Sequence, residues 1–212
     1  VHSMTIDKTG NIYTGGYNDF GVLTPNPGGT LQYTSLTGKN KNFGYVNCIY
    51  WEGKNVFFNS PGRLCRWDIE RNTFSGWNSA QGKPFQNAFQ CNGEFYIHIK
   101  NTGLVQLKQD ALKEVAGGTV FKDKTISMMV PYDDDGNMLI GTGTNGFYLF
   151  DGVSFRPFPT AADDFLKNNR LMHGIRLSSG DFALATYYGG LAVIGPGGAL
   201  KETFNKTDGL QD

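Results

Sequence analysis

The stretch Asp133-Asp134-Asp135-Gly136-Asn137-Met138-Leu139-Ile140-Gly141-Thr142, followed closely by Asn145-Gly146-Phe147-Tyr148-Leu149-Phe150, decides the fold. Two short apolar runs, each introduced by a glycine and separated by turn-forming residues, read as paired strands rather than as one helix. Residues 126–131 supply an earlier run, and 154–158 supply a fourth after the tight turn at Asp151-Gly152. The acidic stretch ending in Gly136-Asn137 is a polar hairpin connection between the first two of these strands.

The pattern recurs along the whole chain. Gly10, Gly53, Gly93, Gly136 and Gly180 are spaced by 43, 40, 43 and 44 residues, and each precedes a short apolar run. A second glycine follows at Gly21, Gly62, Gly103, Gly146 and Gly190. A repeat this short cannot bury itself, so neighbouring modules must pack on one another. The second glycines would interrupt paired helices, whereas strands of alternating, aromatic-rich residues accommodate them. The expected fold is therefore all-β: five four-stranded β-propeller blades of about 43 residues, either a small ring or part of a larger propeller. Approximate modules are 1–43, 44–84, 85–124, 125–169 and 170–212.

Strands are expected at 46–51, 55–59, 63–68 and 73–77 in the second module, and at 87–91, 94–99, 104–108 and 112–115 in the third. Between the fourth and fifth modules, residues 160–167 break the regularity. Thr160 is expected to cap a short helix there, with Asp163 in a capping-box-like contact, and the helix to pack on a face of the blades.

Hydrophobic residues make up 39% of the 212, enough for a substantial core, while 19 basic and 19 acidic side chains cancel. Neutrality gives no global electrostatic case for nucleic acid or an anionic membrane, and no direct contact with either is expected. Cys48, Cys65 and Cys91 define no disulfide framework and read as small buried hydrophobes. Val1 lies just before the first repeat, and 205–212 resembles an inter-repeat connection, so the chain is expected to be part of a longer protein.

Several motifs are set aside. Gly141-Thr142-Gly143-Thr144-Asn145-Gly146 matches a dinucleotide fingerprint in letters, but a strand follows it where that fingerprint requires a helix. The three aspartates before Gly136 lack the terminal Glu of an EF-hand loop, and His2, His98 and His173 show no local ligand spacing. No metal or other cofactor is expected, and no catalytic residue. A ligand or partner surface is expected on the loops joining the second and third strands of different modules. Its residues are Tyr17, Asn18, Asp19, Asn101, Asn145, Tyr187 and Tyr188, with Arg170 and His173 near the insertion. Amides there can hydrogen-bond a polar ligand while tyrosines supply an amphipathic platform.

The run Asp-x-x-Gly-Asn, then an apolar strand, then a second glycine and strand resembles the two-component regulator propeller repeat. It is carried by 133–150, by Asp7-Lys8-Thr9-Gly10-Asn11-Ile12-Tyr13 and by 207–212; Asn18-Asp19-Phe20-Gly21, 155–160 and 183–186 follow in the family's order. The family's tryptophan in the second strand is replaced by Tyr13, Phe57 or Phe58, Tyr96 and Leu139. The resemblance implies the periplasmic sensor region of a membrane-anchored bacterial hybrid two-component system or related transcriptional regulator. It also implies a small polar or carbohydrate-derived ligand, and further blades or another receptor chain as partners. A protein-interaction scaffold is the alternative, and a carbohydrate-active enzyme a third.

Overall fold

The computed structural model describes residues 2–38 and 42–210. Val1 and the Gln211-Asp212 end of the connection-like segment lie outside the described residues. Five four-stranded antiparallel sheets follow one another, each a meander in which sequence neighbours pair. The first contains β1 (Ser3–Ile6), β2 (Ile12–Gly15), β3 (Phe20–Pro25) and β4 (Leu31–Ser35). The second contains β5 (Cys48–Glu52), β6 (Asn55–Asn59), β7 (Arg63–Asp68) and β8 (Thr73–Asn78). The third contains β9 (Phe85–Cys91), β10 (Glu94–Ile99), β11 (Gly103–Lys108) and β12 (Ala111–Glu114). The fourth contains β13 (Ile126–Pro131), β14 (Met138–Thr142), β15 (Phe147–Phe150) and β16 (Phe155–Phe158). The fifth contains β17 (Leu171–Arg176), β18 (Phe182–Thr186), β19 (Leu191–Ile194) and β20 (Leu200–Phe204). These are the propeller blades the repeat implies.

Turn chemistry sets the hairpins. Asp133 accepts hydrogen bonds from the Asp135 and Asn137 amides, at 3.1 and 3.0 Å, and from the Asn137 side chain at 2.6 Å. Gly136 takes φ 91° inside that loop, a conformation closed to most side chains. Asp7 makes the same bonds to Thr9 and Asn11 in the first blade. Hydrogen bonds to its ionised form hold the Asp7 carboxyl below its usual range despite partial burial, which pushes the other way.

The chain divides into two compact units, Val1–Ala88 and Phe89–Asp212. In the first, Tyr13, Phe20 and Val22 of blade 1 pack on Val46, Ile49, Val56 and Phe58 of blade 2. In the second, Tyr96 and Leu104 of blade 3 meet Ile126, Met138, Ile140 and Phe150 of blade 4, and the opposite face of blade 4 meets blade 5. Gly141 has no room for a side chain, because a Cβ would come within 2.5 Å of Leu171 and 2.6 Å of Met128.

The insertion is a helix, α1 (Asp163–Asn169), but Thr160 is not its N-cap. Ala162 holds that position, and Thr160 instead caps the turn before it: its hydroxyl accepts from the Ala162 amide and donates to Asp163 at 2.6 Å. The hydroxyl reaches an amide two residues ahead, so the bond closes a local turn and the helix begins one step later. Ala162 and Leu166 enter the core shared by blades 4 and 5.

Candidate functional site

Within the second unit, the loops joining second and third strands share a backbone device. The Gly143 amide donates to the Thr125 carbonyl at 2.9 Å, and the Tyr187 amide donates to the Arg170 carbonyl at 3.0 Å. Thr125 and Arg170 each immediately precede the first strand of a blade. The Leu171 amide then donates to the Gly143 carbonyl at 2.8 Å, tying the blade 4 loop to the start of blade 5.

This stitching creates a cleft of about 260 Å³ lined by Asp123, Thr125, Gly143, Thr144, Asn145 and Arg170. Asn145 is exposed, and its loop is closed by its own amide donating to the Thr142 hydroxyl at 2.9 Å. The Arg170 guanidinium lies over the Tyr187 ring, 5.1 Å from its centroid. Tyr187 and Tyr188 are exposed, with ring centroids 6.1 Å apart. Arg170 carries φ 54° and ψ 107°, outside the regions that L-residues favour. Such a conformation costs on the order of 1–3 kcal/mol and persists where surrounding bonds hold it. Here the Arg170 amide donates to Leu166 at 2.7 Å at the end of α1, while its carbonyl accepts from Tyr187. The cleft lining offers a guanidinium, a carboxamide, threonine hydroxyls and a carboxylate, while Tyr187 and Tyr188 line a separate groove.

The sequence-expected residues fare differently. Asn145 and Arg170 line one cleft, and Arg170 also lies over Tyr187, which with Tyr188 lines a separate groove. Asn101, at φ 62°, donates its amide to the Lys122 carbonyl at 3.2 Å, next to Asp123 of the cleft. His173 is exposed on β17, opposite Ala185, and is not part of the cleft lining.

In the first unit, the Tyr17 ring lies 4.8 Å from that of Tyr45, which in turn meets His2 edge-on at 4.9 Å. Asn18 and Gly44 bond reciprocally, amide to carbonyl and amide to carboxamide, both at 2.8 Å. The Asp19 carboxylate accepts from Tyr33, Ser35 and Thr37 at 3.0, 2.7 and 2.7 Å. Burial together with the bond to Asp19 pushes the Tyr33 phenol up to about 12. Asn18 and Asp19 thus have their side chains engaged in holding the blade.

Asp123, Thr125 and Tyr45 were missed from sequence. They lie in connections between blades, where position within the repeat is the only available signal. Among the described residues, no group of three or more His, Cys, Asp or Glu side chains is placed to hold a metal ion. No helix there is long and apolar enough to cross a membrane.

No protein-family model matches the chain, and no curated protein matches it. Solved structures do. The extracellular domain of BT4673 from B. thetaiotaomicron is named in one structure as a hybrid two-component system and in another as a one-component system. It superposes with a TM-score of 0.69 at 17% identity, over 91% of this chain and 27% of that one. A catalytically inactive virginiamycin B lyase from Staphylococcus aureus with quinupristin gives 0.67 at 13%, over 94% and 68%. The WD40 β-propeller domain of Doa1 gives 0.68 at 12%, over 95% and 67%. These likenesses show a β-propeller fold. The chain spans about a quarter of the BT4673 domain, and proteins of unrelated activity share its architecture equally well.

Proposed function

We propose that this chain is a noncatalytic, extracytoplasmic ligand-sensing region of a bacterial signal-transduction protein, and that the cleft between Asn145 and Arg170 receives a small polar, carbohydrate-derived ligand. The carrying observation is one cleft lined by both Asn145 and the strained Arg170, whose guanidinium lies over the Tyr187 ring. Similarity to the BT4673 extracellular domain and the regulator-type repeat support the sensory setting and a periplasmic location. Binding there transmits a signal only if two receptor arrangements differ in affinity for the ligand. Asp123 is placed in the cleft lining to accept hydrogen bonds from ligand hydroxyls.

Thermal-shift screening with neutral and acidic mono- and oligosaccharides, followed by calorimetry on hits, tests this. A hit should lose about tenfold or more in affinity in Arg170→Ala, the scale of one charge-assisted hydrogen bond. A panel with no stabilising sugar, or binding indifferent to Arg170, rejects the reading. A second reading, a protein-interaction scaffold, is favoured by one observation: a groove of about 540 Å³ whose lining includes Met172, Tyr187, Tyr188, Leu191 and Leu210.

A further inference from the structure

The cleft that Asn145 and Arg170 line lies within the second unit, between blades 4 and 5, and its bonding pattern says which kind of polar ligand fits it. Arg170 supplies the cation of the lining, and its side chain makes no hydrogen bond or ion pair among the described residues. Arg176, at the other end of β17, instead has Asp134 at 3.1 Å.

Arg170 is nevertheless held in place. Its amide and carbonyl are bonded to Leu166 and Tyr187. Its stem runs past Gly143, where an added Cβ would lie 3.8 Å from the Arg170 Cγ and 3.9 Å from its Nε. Tyr187 engages the guanidinium through a ring face, which takes up no N–H, so all five donors remain for a ligand.

The rest of the lining is suited to hydroxyls. The side chains of Thr125, Thr144 and Asn145 have no hydrogen-bond partner among the described residues. Asp123, the one carboxylate of the lining, has Lys122 Nζ at 3.9 Å to offset its charge, so Arg170 is left as the uncompensated charge. The volume of about 260 Å³ falls below the roughly 300–1,000 Å³ of pockets for drug-sized ligands, which suits one ring better than a chain of them.

We propose that the ligand of this cleft is a sugar acid of the uronate type, a single ring with one carboxylate. Arg170 takes the carboxylate, and Asn145, the two threonines and Asp123 take the ring hydroxyls. This rests on the sugar-binding reading above and narrows it. A guanidinium matches a carboxylate through two parallel N–H···O bonds, and a neutral sugar leaves its charge unmatched. A single negative charge also suits a lining that already holds Asp123, because like charges repel.

Calorimetry on the intact 212-residue chain tests this with matched ligands: galacturonate, glucuronate, galactose, glucose, galacturonate methyl ester and galactose 6-sulfate. At least one uronate should bind about tenfold or more tighter than its neutral hexose, the scale of one charge-assisted hydrogen bond. The methyl ester should bind like the neutral hexose. Raising ionic strength from about 0.01 to about 1 M shortens the Debye length from about 30 to about 3 Å and should weaken the uronate more than the hexose. Arg170→Gln should abolish the uronate preference, while Asp123→Asn should keep it. Neutral sugars that bind as tightly as uronates overturn the acid specificity and leave the sugar-binding reading standing; a panel in which no sugar binds overturns both. A uronate preference that survives Arg170→Gln, or tighter binding of the sulfate ester than of the uronates, also overturns the proposal. Circular dichroism checks that Arg170→Gln folds; if it does not, the methyl ester and the salt series on the parent chain decide.

Discussion

Blades 4 and 5 are adjacent copies of one module, yet their faces carry different chemistry. In blade 4 the strands read ISMMVP, MLIGT and FYLF and are buried almost without interruption. In blade 5 they read LMHGIR, FALAT and LAVI, and burial alternates with exposure. A sheet covered on both sides needs apolar residues at every position, whereas one covered on a single side needs them at every second one. Blade 4 therefore has large side chains on both faces, and blade 5 concentrates Leu171, Phe182, Leu184 and Ile194 on one.

The largest break in this comparison should come from Leu139→Ala. Leu139 is fully buried between the two blades, and its removal should cost about 2–5 kcal/mol in chemical unfolding through lost burial and a residual cavity. Exchanging the aligned residues is the next test. Met128→His puts a polar ring into a buried place and should cost about 1–3 kcal/mol, while His173→Met should stay within about 0.5 kcal/mol. Gly141→Ala should cost about 1–3 kcal/mol, because Leu171 and Met128 already occupy the space of the added methyl. Its counterpart Ala185→Gly should cost only about 0.5–1 kcal/mol, through backbone entropy.

A smaller effect separates a covered histidine from an open one. His98 is fully buried in blade 3; its Nε2 lies 3.0 Å from the Phe121 carbonyl and its Nδ1 has no partner among the described residues. Burial lowers its pKa from 6.5, more than the bond to Phe121 raises it. The unfolded chain thus takes up a proton first, so this contribution to stability is complete above pH 6.5 and declines as pH falls from there toward the lower native value. Urea midpoints between pH 7.5 and 5 should fall, and His98→Gln should flatten that part of the curve; an unchanged slope would rule out His98 as its source.

Most of the fold was legible because strand and turn signals repeat in register. The strands 126–131, 147–150, 55–59, 63–68 and 94–99 coincide with those of the structure. Other bounds moved by one or two residues. Strand β5 begins at Cys48 rather than 46, since Val46 instead donates its amide to Gly16 and packs between blades. The site was legible only in part. Asn145 and Tyr187 stand out through their place in the repeat, but the same chemistry that marks Asn18 and Asp19 as ligand groups also makes them good latches. No local pattern distinguishes an aspartate beside a cleft from one that gathers three hydroxyls. Asp123 reaches its cleft through a connection whose path depends on the packing of whole sheets.

The buried thiols have a practical consequence. Desolvation pushes Cys65 up to about 11 and Cys91 up to about 12, so almost none of either is thiolate at neutral pH. Their reaction with an alkylating reagent therefore awaits local opening. Since Cys65 belongs to the core of the first unit and Cys91 to that of the second, the two labelling rates act as separate clocks, one timing the breathing of each half of the chain.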